Sequence, residues 1–258
     1  MILTKQNGPL ATITINRPEV LNSISNELVY ELIKAFRNIS SDPNIRIIVI
    51  TGAGDKAFVG GVDLHTLAKL DIKTGERFIS DLHNFFLEIR KSEKIVIASI
   101  NGYTLGGGLE MVAACDLRIA SDRSRFGMPE VKVGLPSVIE AAYLPKLIGL
   151  GRAQEIIYLG EMISADEAEK IGLVNKVVPH ERLREETLKM AEKILSNGPT
   201  AITLQKKLIA KWMELPLSAA IEAGIKVFAE TFKTQEPEEG CRAFLEKRQP
   251  SYAIKLNR

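Results

Sequence analysis

The chain has 258 residues, of which 45% are hydrophobic and 26% charged, with a formal net charge of +2 at neutral pH. That composition belongs to a globular protein with a sizeable core, not to a disordered, collagenous or disulfide-stapled chain. Lysines and arginines are interleaved with acids, so no basic footprint for nucleic acid is present.

In chain order, the first legible element is the alternating "ATITIN", Ala11 to Asn16, which stops at Arg17-Pro18 and reads as a strand with a turn after it. Leu28, Leu32, Ala35, Phe36 and Ile39 then repeat at helical spacing, predicting a helix from about Ser25 to Ile39 that Asp42-Pro43 breaks. "IRIIVITG", Ile45 to Gly52, is a continuous β-branched run of the kind covered on both faces of a sheet. The loop "AGDKAFVGGVDL" follows, then a helical stretch through Leu70 and Phe85. The pattern recurs: "KIVIASING", Lys94 to Gly102, is a second buried strand, and a glycine loop again opens a helix, Gly107 to Ala114. Gly61-Val62 in the first unit answers Gly106-Gly107 in the second, about 45 positions on.

A third strand, "DLRIAS", leads to the loop "FGMPEVKVGLP", a helix from about Ile139 to Leu147, and a short strand in "LVNKVV". From Glu181 onward the pattern is helical, punctuated at Gly198-Pro199, Pro216 and Glu236-Pro237. Strand–helix alternation ahead of a helix-only tail predicts an α/β core with an appended helical region. No linker is rich enough in Gly, Pro or Ser to free that tail.

Cys115 and Cys241 lack CxxC partners, and His65, His83 and His180 are too scattered for a zinc site, so no metal is expected. Two thiols in a reducing compartment are expected rather than a disulfide. The N-terminus lacks a basic stretch before an apolar core, and no apolar run is long enough to span a bilayer. The chain reads as a cytoplasmic protein without a membrane partner.

The chemistry-bearing stretch is "NGYTLGGGLEM", where three glycines precede an acid and an apolar helix. A glycine inside a helix costs roughly 1 kcal/mol relative to alanine. Neither glycine loop is a phosphate cradle of the GxxxxGK[ST] type, and neither follows the first strand as a dinucleotide fingerprint does. Both place unpaired backbone N–H groups at a helix start, where the dipole favours negative charge. Two such groups converging on one carbonyl oxygen make an oxyanion hole; alternatively the glycines only ease close helix packing. Glu110, in the first helical turn, is either a dipole-favoured cap or a buried acid whose pKa is raised into the range of proton transfer. Glu130, in a Pro-bounded loop, is on its own an ordinary solvated acid. With Glu110 it could hold one water between two carboxylates.

"NRPEVLNSIS", "AFVGGVDL", "INGYTLGGGLEM", "FGMPEVKVGLP", "SADEAEKIGLVNKVV" and "EEGCRAFLEKRQP" together resemble the enoyl-CoA hydratase/isomerase (crotonase) family, in order and along essentially the whole chain. The resemblance implies a crotonase-like spiral of repeated ββα units (residues 1–195) with a C-terminal helical region (196–258) that mediates trimers, often paired into hexamers. It places the oxyanion-hole N–H groups on Val62 and Gly107, and two catalytic glutamates on Glu110 and Glu130. The expected activity is hydration of a 2-enoyl-CoA thioester, with double-bond isomerisation as the alternative and a non-catalytic binding protein a more distant one. No cofactor is implied, since coenzyme A is part of the substrate. Val20, Val59, Gly60, Gly61, Leu64 and Gly106 would lie along it. Phe244 and Lys247 would reach its nucleotide end from a neighbouring subunit, although Lys247 also reads as an ordinary surface lysine.

One stretch departs from the family. A glycine-rich turn is usual after Glu130, whereas this chain has "GLPSVIEAAYLP", with Ser137 where a glycine is common and a third acid, Glu140. Glu140 reads as a solvated acid at a helix start, or else as a pocket-facing group able to shuttle a proton. The Thr66–Phe86 helix and the Leu135–Leu144 loop are expected to shape the acyl pocket.

Overall fold

The protein, seen in a computed structural model that describes residues 1–256, is built on two sheets that share alternate strands of the chain. An N-terminal hairpin, β1 (Ile2–Asn7) and β2 (Leu10–Ile15), turns at Gly8, whose φ of +56° suits glycine. Helix α1 (Asn26–Ser40) follows, its first turn capped by the Ser25 hydroxyl, and buries Leu28, Leu32 and Phe36 as the apolar spacing predicts. The next strands alternate between layers. β3 (Ile47–Gly52) joins the large sheet and β4 (Ala57–Val59) the small one; α2 (Leu64–Leu67) and α3 (Ile72–Lys91) lead back. β5 (Ile95–Ile100) and β6 (Tyr103–Leu105) repeat the step and open α4 (Gly107–Ala114). β7 (Leu117–Ser121) and β8 (Arg125–Gly127) repeat it again.

Helices α5 (Leu144–Ile148) and α6 (Leu150–Leu159) then lead to β9 (Ile163–Ser164), α7 (Ala165–Lys170) and β10 (Lys176–Val178). The six-stranded sheet runs β1-β2-β3-β5-β7-β10 and the four-stranded sheet β4-β6-β8-β9. β2, β3, β5, β7 and β10 are mutually parallel along the large sheet, as β4, β6 and β8 are along the small one. These are the predicted ββ-plus-helix repeats, wound as a spiral. α8 (Leu183–Leu195), α9 (Pro199–Trp212), α10 (Leu217–Thr231) and α11 (Glu236–Leu245) form the helical tail. Gly198 and Pro216 sit at the N-caps of α9 and α10, and Pro237 lies in the first turn of α11.

The core lies between the sheets and α1, α3 and α4. Phe36 of α1 meets Phe85 of α3 edge-on, ring centroids 6.1 Å apart. Each such fully buried phenyl contributes about 2–3 kcal/mol over leaving it in water. α4 is buried along all its residues, Glu110 included. α8 packs Leu183, Ala191 and Leu195 on the other face of the large sheet. Both cysteines are free, Cys115 buried and Cys241 exposed.

Three elements differ from the sequence reading. The expected Thr66–Phe86 helix is interrupted, α2 ending at Leu67 and α3 starting at Ile72 behind its cap Asp71. β1 exposes four of its six side chains, so "ILTKQN" carries no apolar alternation to read; it is an edge strand held by pairing with β2. The helix expected over 139–147 is split into a 3-10 turn, Ile139–Tyr143, and α5. Pro145 is the reason: it has no N–H to donate to the carbonyl of Ala141, so a continuous α-helix cannot cross it.

Candidate active site

Both glycine loops are fixed from behind by buried amides. Asn101 donates to the carbonyls of Gly52, Gly54 and Ala57 and accepts from the Gly52 N–H at 3.2 Å. Asn22, at φ +56°, donates to Ala53 and Ala57. β4 and β6 pair side by side, so the turns leaving them are neighbours: a Cβ on Gly61 would lie 3.3 Å from the Leu105 carbonyl. Gly61 itself has φ +102° and Gly106 +51°, backbone states that glycine adopts freely.

The amides around Val62 are spoken for: Gly60 donates to Leu21, and Asp63 to Ile24. The Val62 N–H has no acceptor among the described residues. Nor does the Gly107 N–H, the first of α4, whose helical position leaves it without an intrahelical partner. The two residues are close, since a Cβ on Gly107 would lie 3.6 Å from a Val62 methyl. Both line one cavity of about 670 Å³.

The three consecutive glycines are glycine for three different reasons. A Cβ on Gly106 would fall 2.3 Å from Glu130 Oε1, inside the site. One on Gly107 would press on Ile24 at 3.2 Å. One on Gly108 would collide with the Val59 carbonyl at 2.3 Å. Close packing explains Gly108, and the site explains Gly106; the two readings open at the sequence level apply to different residues.

Glu110 and Glu130 line the same cavity. Glu110 is 5% exposed and accepts from the Ala141 N–H at 3.2 Å. Burial pushes its carboxyl from 4.5 up to about 8; the Ala141 N–H works against this, and the charges of Glu130 and Glu140 add to it. Glu130 is also raised, by burial, against its own backbone N–H and the Ser137 hydroxyl, which donates to Oε2 at 3.0 Å. Both carboxyls are thus raised, and the charge of Glu130 favours a protonated Glu110 near neutrality. Around them the cavity wall is largely apolar: Leu67, Leu70, Ile79 and Leu82 on the α2–α3 side, Leu135, Pro136 and Val138 on the other; Asp71, Glu76 and Lys132 are the other charged residues of the lining.

The remaining expected residues divide. Gly60, Gly61, Leu64 and Gly106 line the cavity. Val59 does not: it is fully buried in β4 against Gly108. Val20 sits on a 3-10 turn, Pro18–Val20, off the cavity lining. Phe244, 84% exposed at the end of α11, and Lys247 lie away from this chain's cavity.

Glu140 corrects the sequence reading on both counts. It is 1% exposed, so it is not solvated, and it does not line the cavity. It pairs instead with His83 Nδ1 at 3.1 Å and Arg90 at 3.4 Å. His83 and Arg90 stand two turns apart on one face of α3, the spacing that could have marked them in the sequence. Ser137, whose hydroxyl holds Glu130, stood out only as a departure from the family's usual glycine, and the Ala141 amide, which holds Glu110, left no signal.

Among the described residues no group of His, Cys, Asp or Glu is placed to hold a metal, and no helix is long and apolar enough to cross a membrane. Residues 5–255 match the enoyl-CoA hydratase/isomerase family profile. The chain is 38% identical over 255 residues to the crotonyl-CoA hydratase of Syntrophomonas wolfei, covering 98% of each. It is 37% identical over 248 residues to the short-chain-enoyl-CoA hydratase of Clostridium acetobutylicum, covering 96% of this chain and 95% of the other. A crystal structure of an enoyl-CoA hydratase from Bacillus anthracis superimposes with a TM-score of 0.93 at 36% identity, over 98% of both chains.

Proposed function

The chain belongs to the enoyl-CoA hydratase/isomerase family, and we propose that it is an enoyl-CoA hydratase, a hydro-lyase that adds water reversibly across the 2,3 double bond of a 2-enoyl-CoA. The observation that carries this reading is that Glu110, Glu130 and the two residues whose backbone N–H groups lack an acceptor among the described residues, Val62 and Gly107, line one largely apolar cavity.

The thioester oxygen sits on the Val62 and Gly107 amides. As the water oxygen bonds to C3, the π electrons move toward C2 and the thioester, and the growing negative charge on that oxygen is met by both N–H groups and the positive end of α4. Each donor is worth about 3 kcal/mol in the transition state. One of the two carboxyls, ionised, takes a proton from the water; the other delivers its own to C2. With Glu110 raised to about 8, the pair holds a proton at neutral pH and can do both. The proton inventory closes, and neither metal nor redox cofactor enters.

Gly60, Gly61, Leu64 and Gly106 flank the pantetheine arm, and the apolar wall receives a short or medium acyl chain. Leu217, Ile221, Ile225, Phe228 and Phe232 expose a run of apolar side chains along α10, 56–77% open within one protomer. A trimer or a pair of trimers covers that face and brings Phe244 and Lys247 to a neighbour's coenzyme A. The protein works in the cytoplasm.

Crotonyl-CoA hydration is followed by loss of the conjugated-enoyl absorbance. Turnover of crotonyl- or hexenoyl-CoA to the 3-hydroxy product is expected. Conversion of a 3-enoyl-CoA to the 2-enoyl isomer, with no hydration of either, would make the protein an isomerase instead.

A further inference from the structure

The strongest unused feature is a buried acid one residue from a peptide that touches Glu110. The 3-10 turn Ile139–Tyr143 begins with Ile139 at φ +35°, a left-handed conformation for a β-branched residue. Such a state costs on the order of 1–3 kcal/mol and persists only where the surroundings over-determine it. Here the surroundings are α3. The Glu140 carboxylate bonds His83 Nδ1 at 3.1 and 3.3 Å and Arg90 at 3.4 Å. The Arg90 guanidinium also lies 4.3 Å over the Tyr143 ring, gripping the far end of the same turn. Between these grips is Ala141, whose N–H is shared between the Val138 carbonyl at 2.9 Å and Glu110 Oε1 at 3.2 Å.

We propose that Glu140 is a positioning residue for Glu110: clamped to His83 and Arg90, it holds the strained turn so that the Ala141 amide fixes one orientation of the Glu110 carboxyl. The proposal rests on the hydratase reading, in which Glu110 handles a proton. In this chain a charged clamp does the work that sequence alone would assign to a simple loop. The groups facing Glu110 are Glu130, Glu140 and the Ala141 amide. Those facing Glu140 are His83 and Arg90; Arg90 also reaches Glu214 at 3.9 Å.

Two variants separate orientation from charge. Glu140→Ala opens the clamp, and kcat for crotonyl-CoA hydration should fall about 10- to 100-fold with KM changed less than about threefold, as expected when a reacting group is misplaced by a fraction of an ångström to an ångström. Glu140→Gln keeps the shape of the clamp and removes the negative charge that Glu140, its carboxyl raised by burial and held down by His83 and Arg90, places near Glu110. The Glu110 titration, read by carbon-13 NMR of labelled glutamate in the ligand-free protein and assigned with Glu110→Gln, should then shift to lower pH from its wild-type midpoint of about 8. A purely structural Glu140 would lower Tm and leave both readouts unmoved. Should Glu140→Ala not fold, His83→Ala opens the clamp from its half-exposed side and should lower kcat severalfold. Folded variants with wild-type kcat and an unmoved Glu110 midpoint would overturn the proposal. If the wild type hydrates no enoyl-CoA, the hydratase reading fails, and the NMR arm still decides whether Glu140 governs Glu110.

Discussion

The two walls that carry the acids are built on opposite principles. Glu110 stands on α4, a helix buried on every side, its start anchored by Gly108 against the Val59 carbonyl. Glu130 stands on a 3-10 turn, Pro129–Val133, within a segment held by side-chain bonds: internally by Ser137 to Glu130, and to α3 by Glu140 to His83 and Arg90. One wall gets its precision from close packing, which tolerates no added atom. The other gets it from polar contacts, which can be removed singly. Substitutions on the first should therefore act on stability as well as activity, and on the second mainly on activity.

The largest effects come from the acids themselves. Glu110→Gln and Glu130→Gln should each lower kcat by about 10²- to 10⁴-fold, the range for losing a proton-transfer group, in the absorbance assay. Only Glu110→Gln should also change stability strongly. Its carboxyl titrates near 8 in the folded protein against 4.5 ordinarily, so between those values the folded state holds a proton the unfolded chain has lost. Wild-type stability consequently falls as pH rises through that window, by up to about 5 kcal/mol from this one group, and below it the loss is absent. Urea unfolding at pH 5 and pH 8 should find Glu110→Gln progressively more stable than wild type as pH rises, while inactive at both. A pH-independent difference would show that Glu110 is not buried as described.

Next come the adjacent glycines. Gly108→Ala puts a methyl 2.3 Å from a backbone carbonyl that cannot swing away, and should destabilise the fold by about 3 kcal/mol, as overpacking does. Gly106→Ala meets only the Glu130 carboxylate, whose end can rotate. At φ +51°, ψ −121° the position lies outside the left-handed helical well, so the variant should lose about 1–3 kcal/mol to backbone strain and a larger share of activity. An activity loss in Gly106→Ala no larger than that in Gly108→Ala would erase the distinction between the glycine that faces the site and the one that only packs.

The smallest expected effect is at Gly75, in α3 and on the cavity lining, where a Cβ would find only Leu70 at 3.9 Å. Gly75→Ala should stabilise the protein by roughly 0.5–1 kcal/mol through the helix and the unfolded chain. Thermal unfolding with a raised midpoint checks it; a lowered one would mean the helix start is tighter than it looks.

The packing wall was the legible one. Its glycines, its apolar helix and the β-branched strands behind it are periodic, and periodicity is what a sequence displays. Gly107 to Ala114 is helical as read, and Glu110 and Glu130 both line one cavity. The polar wall was only partly legible: Ser137 and Glu140 stand out in the sequence, but the partners of Glu140, His83 and Arg90, and the contact of Ala141 with Glu110 join residues far apart in the chain. Val20 and Val59 were carried over from the resemblance by position, and neither is among the residues that line this cavity.

The most direct test is a crystal structure of the protein with a 3-hydroxyacyl-CoA bound. The account predicts the thioester oxygen about 2.7–3.1 Å from both the Val62 and Gly107 nitrogens, with the C3 hydroxyl between Glu110 and Glu130. A thioester oxygen out of hydrogen-bond reach of those two nitrogens, or a hydroxyl touching neither acid, would contradict it.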